Sequence, residues 1–162
     1  MSIVRANKWQ DINGTTYGAV INAYHAVNNT SYTVGVTSGT DLTNMSITVT
    51  PKTNTSRFIL MFSTIGSYGS GTGATTTFWF TRNDSSLNSI TGGNYNGQSG
   101  WIAAAVDRTA TASLHYIDNP TTASSVTYKV RLATDGTVYI GRRYNDTFIV
   151  CSQHLTVMEL AA

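Results

Sequence analysis

The sequence predicts an all-β protein: an antiparallel β-sandwich, jelly-roll-like, with an extended N-terminal arm. Three observations carry this. Eleven short stretches are rich in β-branched and aromatic residues, several with apolar side chains at every second position. Gly, Asn, Asp and Pro clusters punctuate them at intervals of about 8–12 residues, the spacing of sandwiches and barrels. No part of the 162 residues carries the 3.6-residue periodicity of an amphipathic helix.

Taken in order, residues 1–16 hold isolated apolar anchors at Ile3, Val4 and Trp9 among polar neighbours and close on Asn13-Gly14, so they read as an extended arm. Strands are expected over 17–27, 31–36, 45–50, 57–65 and 75–82. Their boundaries are Asn28-Asn29, Ser38-Gly39, Pro51 and the glycines between Gly69 and Gly73. A loop-rich stretch follows, with Gly92-Gly93-Asn94-Tyr95-Asn96-Gly97 at its centre. Further strands are expected over 101–106, 112–117, 126–133 and 137–142, and over 148–160 with a break near Gln153. The expected domains are therefore an attachment arm, 1–16, and a sandwich knob, 17–162.

The cleanest alternation is Val126, Tyr128, Val130 and Leu132 against Thr127, Lys129 and Arg131, which gives one apolar face. If Asp135-Gly136 closes a two-residue hairpin, Leu132 pairs with Tyr139, and Val138 and Ile140 fall on the Lys129 side. That conflict with one-sided burial leaves two solutions: a bulge that shifts the register, or a second covered face, for instance against another subunit. Consecutive Phe78, Trp79 and Phe80 likewise require a strand that is central or buried between subunits.

Composition narrows the function classes. Ten basic and eight acidic residues give a net charge of +2, with basic residues scattered except at Arg142-Arg143, so no nucleic-acid partner is expected. Only 11% of residues are charged. Solubility falls to 27 threonines, 16 serines and the asparagines, which suits a surface that packs against other chains. No window approaches the roughly 20 apolar residues of a membrane span, and no leader pattern opens the sequence, so synthesis in the cytoplasm is expected. Cys151 in Phe148-Ile149-Val150-Cys151 reads as a small buried hydrophobe.

No catalytic constellation emerges. His25, His115 and His154 fall in separate strands without metal-ligand spacing, and there is no Gly-x-Ser-x-Gly elbow. Gly69-Ser70-Gly71-Thr72-Gly73 lacks the Lys-Ser/Thr ending and the helix of a phosphate loop. Eight acidic residues, mostly in turns, offer little to a polysaccharide hydrolase. The sequence therefore predicts no enzyme, no cofactor and no metal. The aromatic residues Tyr68, Tyr95, Trp101 and Tyr144 lie in or beside polar loops, where amphipathic rings can stack on sugars or fill a partner's pocket.

Three segments carry a resemblance. Residues 2–18, SIVRANKWQDINGTTYG, resemble the SIVKANxWQNLDGTxYG opening of small β-rich virion proteins and fibre domains of tailed phages, notably those of marine bacteria and cyanobacteria. Residues 117–122, IDNPTT, with 126–130, VTYKV, resemble the LDSPxTTSxxTYKV segment of the same group, and 155–160, LTVMEL, is similar to its closing strand. The resemblance implies a structural protein of the virion, at a tail-fibre tip or on the head surface, built as a trimeric β-sandwich. With no fibre shaft ahead of the module, the arm is expected to attach it, through Ile3, Val4 and Trp9, to other capsid or tail proteins. The alternative reading is a module that adsorbs to host surface polysaccharide through Tyr68, Tyr95, Trp101 and Tyr144.

Overall fold

A computed structural model of the chain describes residues 8–10, 16–18, 20–35, 38–69, 75–87, 99–102, 109–145 and 150–160. Its strands are β1 (Lys8–Gln10), β2 (Thr16–Gly18), β3 (Val20–Asn28), β4 (Tyr32–Val34), β5 (Thr40–Val49), β6 (Arg57–Tyr68), β7 (Thr75–Arg82), β8 (Ser85–Ser86), β9 (Ser99–Ile102), β10 (Thr109–Asp118), β11 (Val126–Thr134), β12 (Val138–Ile140) and β13 (Gln153–Leu160). Every pairing is antiparallel, and no helix occurs among the described residues. The fold class is the expected one.

Pairing registers reveal that several strands are pieces of longer tracks. On one flank of β6, β12 pairs with Gly66–Tyr68 and β13 with Arg57–Ser63, so the two run in tandem along a single neighbour. β4 and β3 flank them in the same tandem order. β8 and β9 likewise share the free flank of β7. Counting each tandem as one, the described residues of the two sheets lay down eight tracks. The first sheet reads β3/β4, β12/β13, β6, β10, and the second reads β5, β11, β7, β8/β9. In chain order these are tracks 1-8-3-6 and 2-7-4-5, which is the connectivity of an eight-stranded jelly roll. β1 and β2 form a separate ribbon, hydrogen-bonded to neither sheet.

The alternation read in the sequence places the core. Phe58, Leu60 and Phe62 of β6, with Leu155 and Val157 of β13, face Phe78 and Phe80 of β7 and Tyr128, Val130 and Leu132 of β11, all nearly or fully buried. Phe62 meets Phe78 at 5.8 Å between ring centroids, and Phe58 meets Tyr128 at 5.6 Å. Each such side chain contributes about 1.5–3 kcal/mol when removed from water.

The hairpin expected at Asp135-Gly136 does not exist, and neither solution to its conflict applies. β11 pairs with β5 and β7, whereas β12 pairs with β4 and β6 in the opposite sheet. The 135–137 segment is a crossover between sheets, so Val138 and Ile140 point into the same core as Leu132 and all three are fully buried. Phe78, Trp79 and Phe80 do sit on a central strand, flanked by β11 and by β8/β9. Trp79 faces outward but is only 5% exposed. Its ring is covered by Arg131, whose guanidinium carbon is 5.9 Å from the ring centroid, and by Gly39, where a Cβ would come within 2.7 Å of the indole.

Where the tandem tracks break, the chain leaves the sheet and returns. Residues 141–145 and 150–152 lie in such a break between β12 and β13, closed at its base by Cys151 N–H donating to Gly141 O (2.7 Å) and by Gly141 N–H donating to Ile65 O (2.8 Å). Gly141 has φ +76°, and a side chain there would strike the amide of Gln153. Gln153 is itself fully buried and joins the two breaks: Asn28 donates to its Oε1 at 3.0 Å, and its Nε2 donates to Thr30 O at 3.4 Å. Cys151, expected to be buried, is partly exposed and unpaired.

Candidate functional site

The two outer faces of the sandwich differ in chemistry. Outward positions on the second sheet carry Asp41, Ser46, Thr48, Thr127, Lys129 and Arg131. Lys129 Nζ reaches Asp41 at 3.0 Å and Asp84 at 2.6 Å, and Arg131 Nε reaches Asp41 at 3.0 Å. Hydrogen bonds and charge from Lys129 hold the Asp84 carboxyl below its ordinary pKa, while the same aspartates raise that of Lys129. On β5 and β11 this face is charged and solvated, whereas on β7 Trp79 and Thr81 are buried.

The outer face of the first sheet differs. Directly paired residues of an antiparallel sheet share a face, so the registers define its rows. One row runs Ile117, Ile59, Met158, Ala23; the next runs His115, Met61, Thr156, His25; the next runs Ser113, Ser63, His154, Val27. Val20, Ile21, Val27, Met61 and Ile117 are 38–55% exposed here. Val150, the remaining large apolar side chain with such exposure among the described residues, lies between β12 and β13, bridged to Arg142. Between Arg57 at one end and Arg142 at the other, the described rows contain no charged side chain.

Two of the three histidines meet on this face. Their strands are far apart in sequence, β3 and β13, and sequence spacing alone gave no sign that these strands pair. His25 Nε2 lies 3.2 Å from His154 Nδ1, while His115 stands on β10, beyond β6. The break between β12 and β13 supplies a second cluster: the guanidinium carbon of Arg142 lies 4.6 Å from the Tyr139 ring centroid, Tyr144 packs on the same ring at 5.1 Å, and Ser67 Oγ donates to Arg142 O at 3.2 Å.

Of the residues singled out in the sequence, Ile3, Val4 and Tyr95 lie outside the described residues. Trp9 is in β1, its backbone opposite Tyr17, and Trp101 is in β9, its backbone opposite Thr76. Tyr68 is placed differently from expectation: it is fully buried, its hydroxyl paired with Thr76, and burial raises its pKa. A ring without exposed surface has nothing to offer a sugar. Tyr144 is half-buried at the surface. Near the crossover, Gly35 and residues 134–137 line a depression of about 240 Å³.

The remaining buried polar groups tie the sheets together. Asp118 of β10 accepts two bonds from Arg82 Nη1 of β7 (2.9 Å each) and one from Tyr128 Oη of β11 (2.7 Å). Glu159 accepts from Lys52 N–H at 2.5 Å and from Asn22 Nδ2 at 2.8 Å. Among the described residues, no three His, Cys, Asp or Glu side chains gather as a metal cluster. No helix among them is long and apolar enough to cross a membrane.

No family model matches the chain, and no curated protein does. Among solved structures it aligns with the crystal structure of the infectious bursal disease virus VP2 subviral particle, at 10% identity and a TM-score of 0.38. The alignment covers 98% of this chain but 42% of that one, and a likeness of this grade assigns no function.

Proposed function

We propose that this chain is a non-enzymatic structural protein of a phage virion, a tail-fibre, fibre-tip or head-decoration knob, assembled as a homotrimer and held to the particle by its N-terminal arm. The observation that carries the reading is the uncharged outer face of the first sheet, on which exposed apolar side chains gather while the other sheet is laced with ion pairs. Depletion of charge around apolar residues is the mark of an interface core. Four tracks about 4.8 Å apart and some nine residues long present roughly 550 Å². Three such surfaces gathered about one axis bury up to about 1,650 Å² in the trimer, within the roughly 1,200–2,000 Å² of standard specific interfaces. The phage-like segments at 2–18, 117–130 and 155–160 supply the virion context, and the jelly roll is an architecture that capsids use.

Light scattering on the purified chain should give the mass of three protomers, and Met61→Glu with Ile117→Glu should give monomers of unchanged circular dichroism. A wild-type monomer at micromolar concentration would overturn the assembly. Deleting residues 1–10 should abolish co-sedimentation with phage particles, and undiminished incorporation would reject the arm as anchor.

One observation favours the second reading, a module for host surface polysaccharide. Tyr144, Tyr139 and Arg142 form an aromatic and cationic cluster at the surface, a chemistry that sugars stack on. Glycan-array binding lost on Tyr144→Ala would support adsorption. A blank array together with normal adsorption of a knockout phage would leave the structural role alone.

A further inference from the structure

We propose that His25 and His154 form a binding site for a divalent transition-metal ion of the zinc, nickel or copper class. Their strands are neighbours, with Thr156 opposite His25 and Val27 opposite His154, so the histidines stand diagonally across one ladder on the outer face. Their rings are parallel within 9° and their centroids are 5.3 Å apart. The facing nitrogens are 3.2 Å apart, hardly longer than the shortest separation two imidazoles at that centroid distance can reach. The rings therefore meet edge to edge, with a nitrogen of each turned toward the other.

That spacing is the one a shared ion requires. Two imidazole nitrogens each about 2.0–2.1 Å from a metal stand about 2.9 Å apart at a right angle and about 3.3–3.4 Å apart at the tetrahedral angle. The observed 3.2 Å lies between them. Because the facing nitrogens point along the line between them, each ring turns by roughly 40° to aim its lone pair at a common point with N–metal bonds of about 2.0–2.1 Å. In the neutral pair one nitrogen donates its hydrogen to the other. On binding, that proton moves to the remote nitrogen of the same ring, both facing nitrogens become ligands, and no proton is released.

The surroundings suit a cation. The flanking rows hold Ala23, Val27, Met61, Ser63, Thr156 and Met158, with no lysine or arginine. Imidazole is the side chain that zinc, copper and nickel share as a ligand, whereas calcium and magnesium require oxygen. Within a single protomer two protein ligands leave the site open: water fills the remaining positions, and affinity is below that of a closed four-ligand structural site.

The test uses the tag-free, metal-stripped full chain, titrated with zinc chloride by calorimetry and by NMR of the imidazole nitrogens. A saturable isotherm is expected, with the His25 and His154 signals shifting together ahead of His115. His25→Ala and His154→Ala should each weaken binding at least tenfold, and His115→Ala should leave it unchanged. Thermal melts of the exposed-site variants check that each is folded. Saturation at one ion per two or three protomers, with the same two rings shifting, also supports the site, completed by sister copies. Absence of a saturable isotherm, equal weakening by His115→Ala, or wild-type binding in either single variant would overturn it.

Discussion

Tyr128 and Tyr68 carry out matching tasks at the two ends of the sandwich, each passing its hydroxyl from one sheet to the other. Tyr128 of β11 donates to Asp118 of β10, and Tyr68 of β6 pairs with Thr76 of β7, which in turn donates to Thr134 of β11 at 3.0 Å. Burial, and then the facing Asp118 carboxylate, raises the Tyr128 pKa, so its phenol remains a donor across the physiological range. Removing either hydroxyl deletes one of the bonds of a buried partner, so Tyr128→Phe and Tyr68→Phe should each cost about 1–2 kcal/mol in urea denaturation. Glu159 adds a pH dependence. Burial pushes its pKa up, but hydrogen bonds from the Lys52 amide, Ser56 and Asn22 outweigh this and hold it below the ordinary value. A depressed carboxylate contributes stability that is present above its unfolded pKa and lost as the pH falls through the folded one. Stability should therefore decline as the pH drops below about 4.3, the ordinary glutamate value. Glu159→Gln should be about 1–3 kcal/mol less stable at pH 7 and show a shallower acid decline.

Strand identity was legible because period-two burial leaves its mark on the sequence: β11 falls where its apolar alternation puts it, and β7 occupies the expected 75–82. Sheet membership was not. Alternation says which side chains share a face, but the same pattern describes a hairpin partner and a strand of the opposite sheet. The misplaced Val138 and Ile140 were the clue: a register conflict at Asp135-Gly136 disappears once the chain crosses the core instead of turning back beside itself. β5 begins at Thr40, earlier than expected, because its first turn is polar and Asn44, at φ +60°, interrupts the alternation where the ladder with β11 shifts register. The candidate site was hidden for a related reason: the His25 and His154 neighbourhood exists only once β13 is known to lie beside β3. Gly141 tests the base of the break between β12 and β13. Its left-handed conformation should make Gly141→Ala at least about 1–2 kcal/mol less stable, read as a lowered melting midpoint.

For the whole molecule, the unequal outer faces make association and stability respond differently to salt. The ion web of Lys129, Arg131, Asp41 and Asp84 is at the surface and is screened within a Debye length of about 8 Å at physiological ionic strength. The proposed contact face has no charge in its central rows. Self-association measured by sedimentation should therefore be as strong in 1 M sodium chloride as at about 0.15 M, and sulfate should strengthen it. A complex that dissolves in high salt would point to the charged face instead.

Gly141 and Cys151 close the break between β12 and β13 at its base. Because a backbone bond from Cys151 to Gly141 holds these two positions together, the ladder beneath should not register the length of chain between them. Foreign peptide spliced in after Tyr144 should ride as cargo, leaving the unfolding midpoint of the host scaffold where it was.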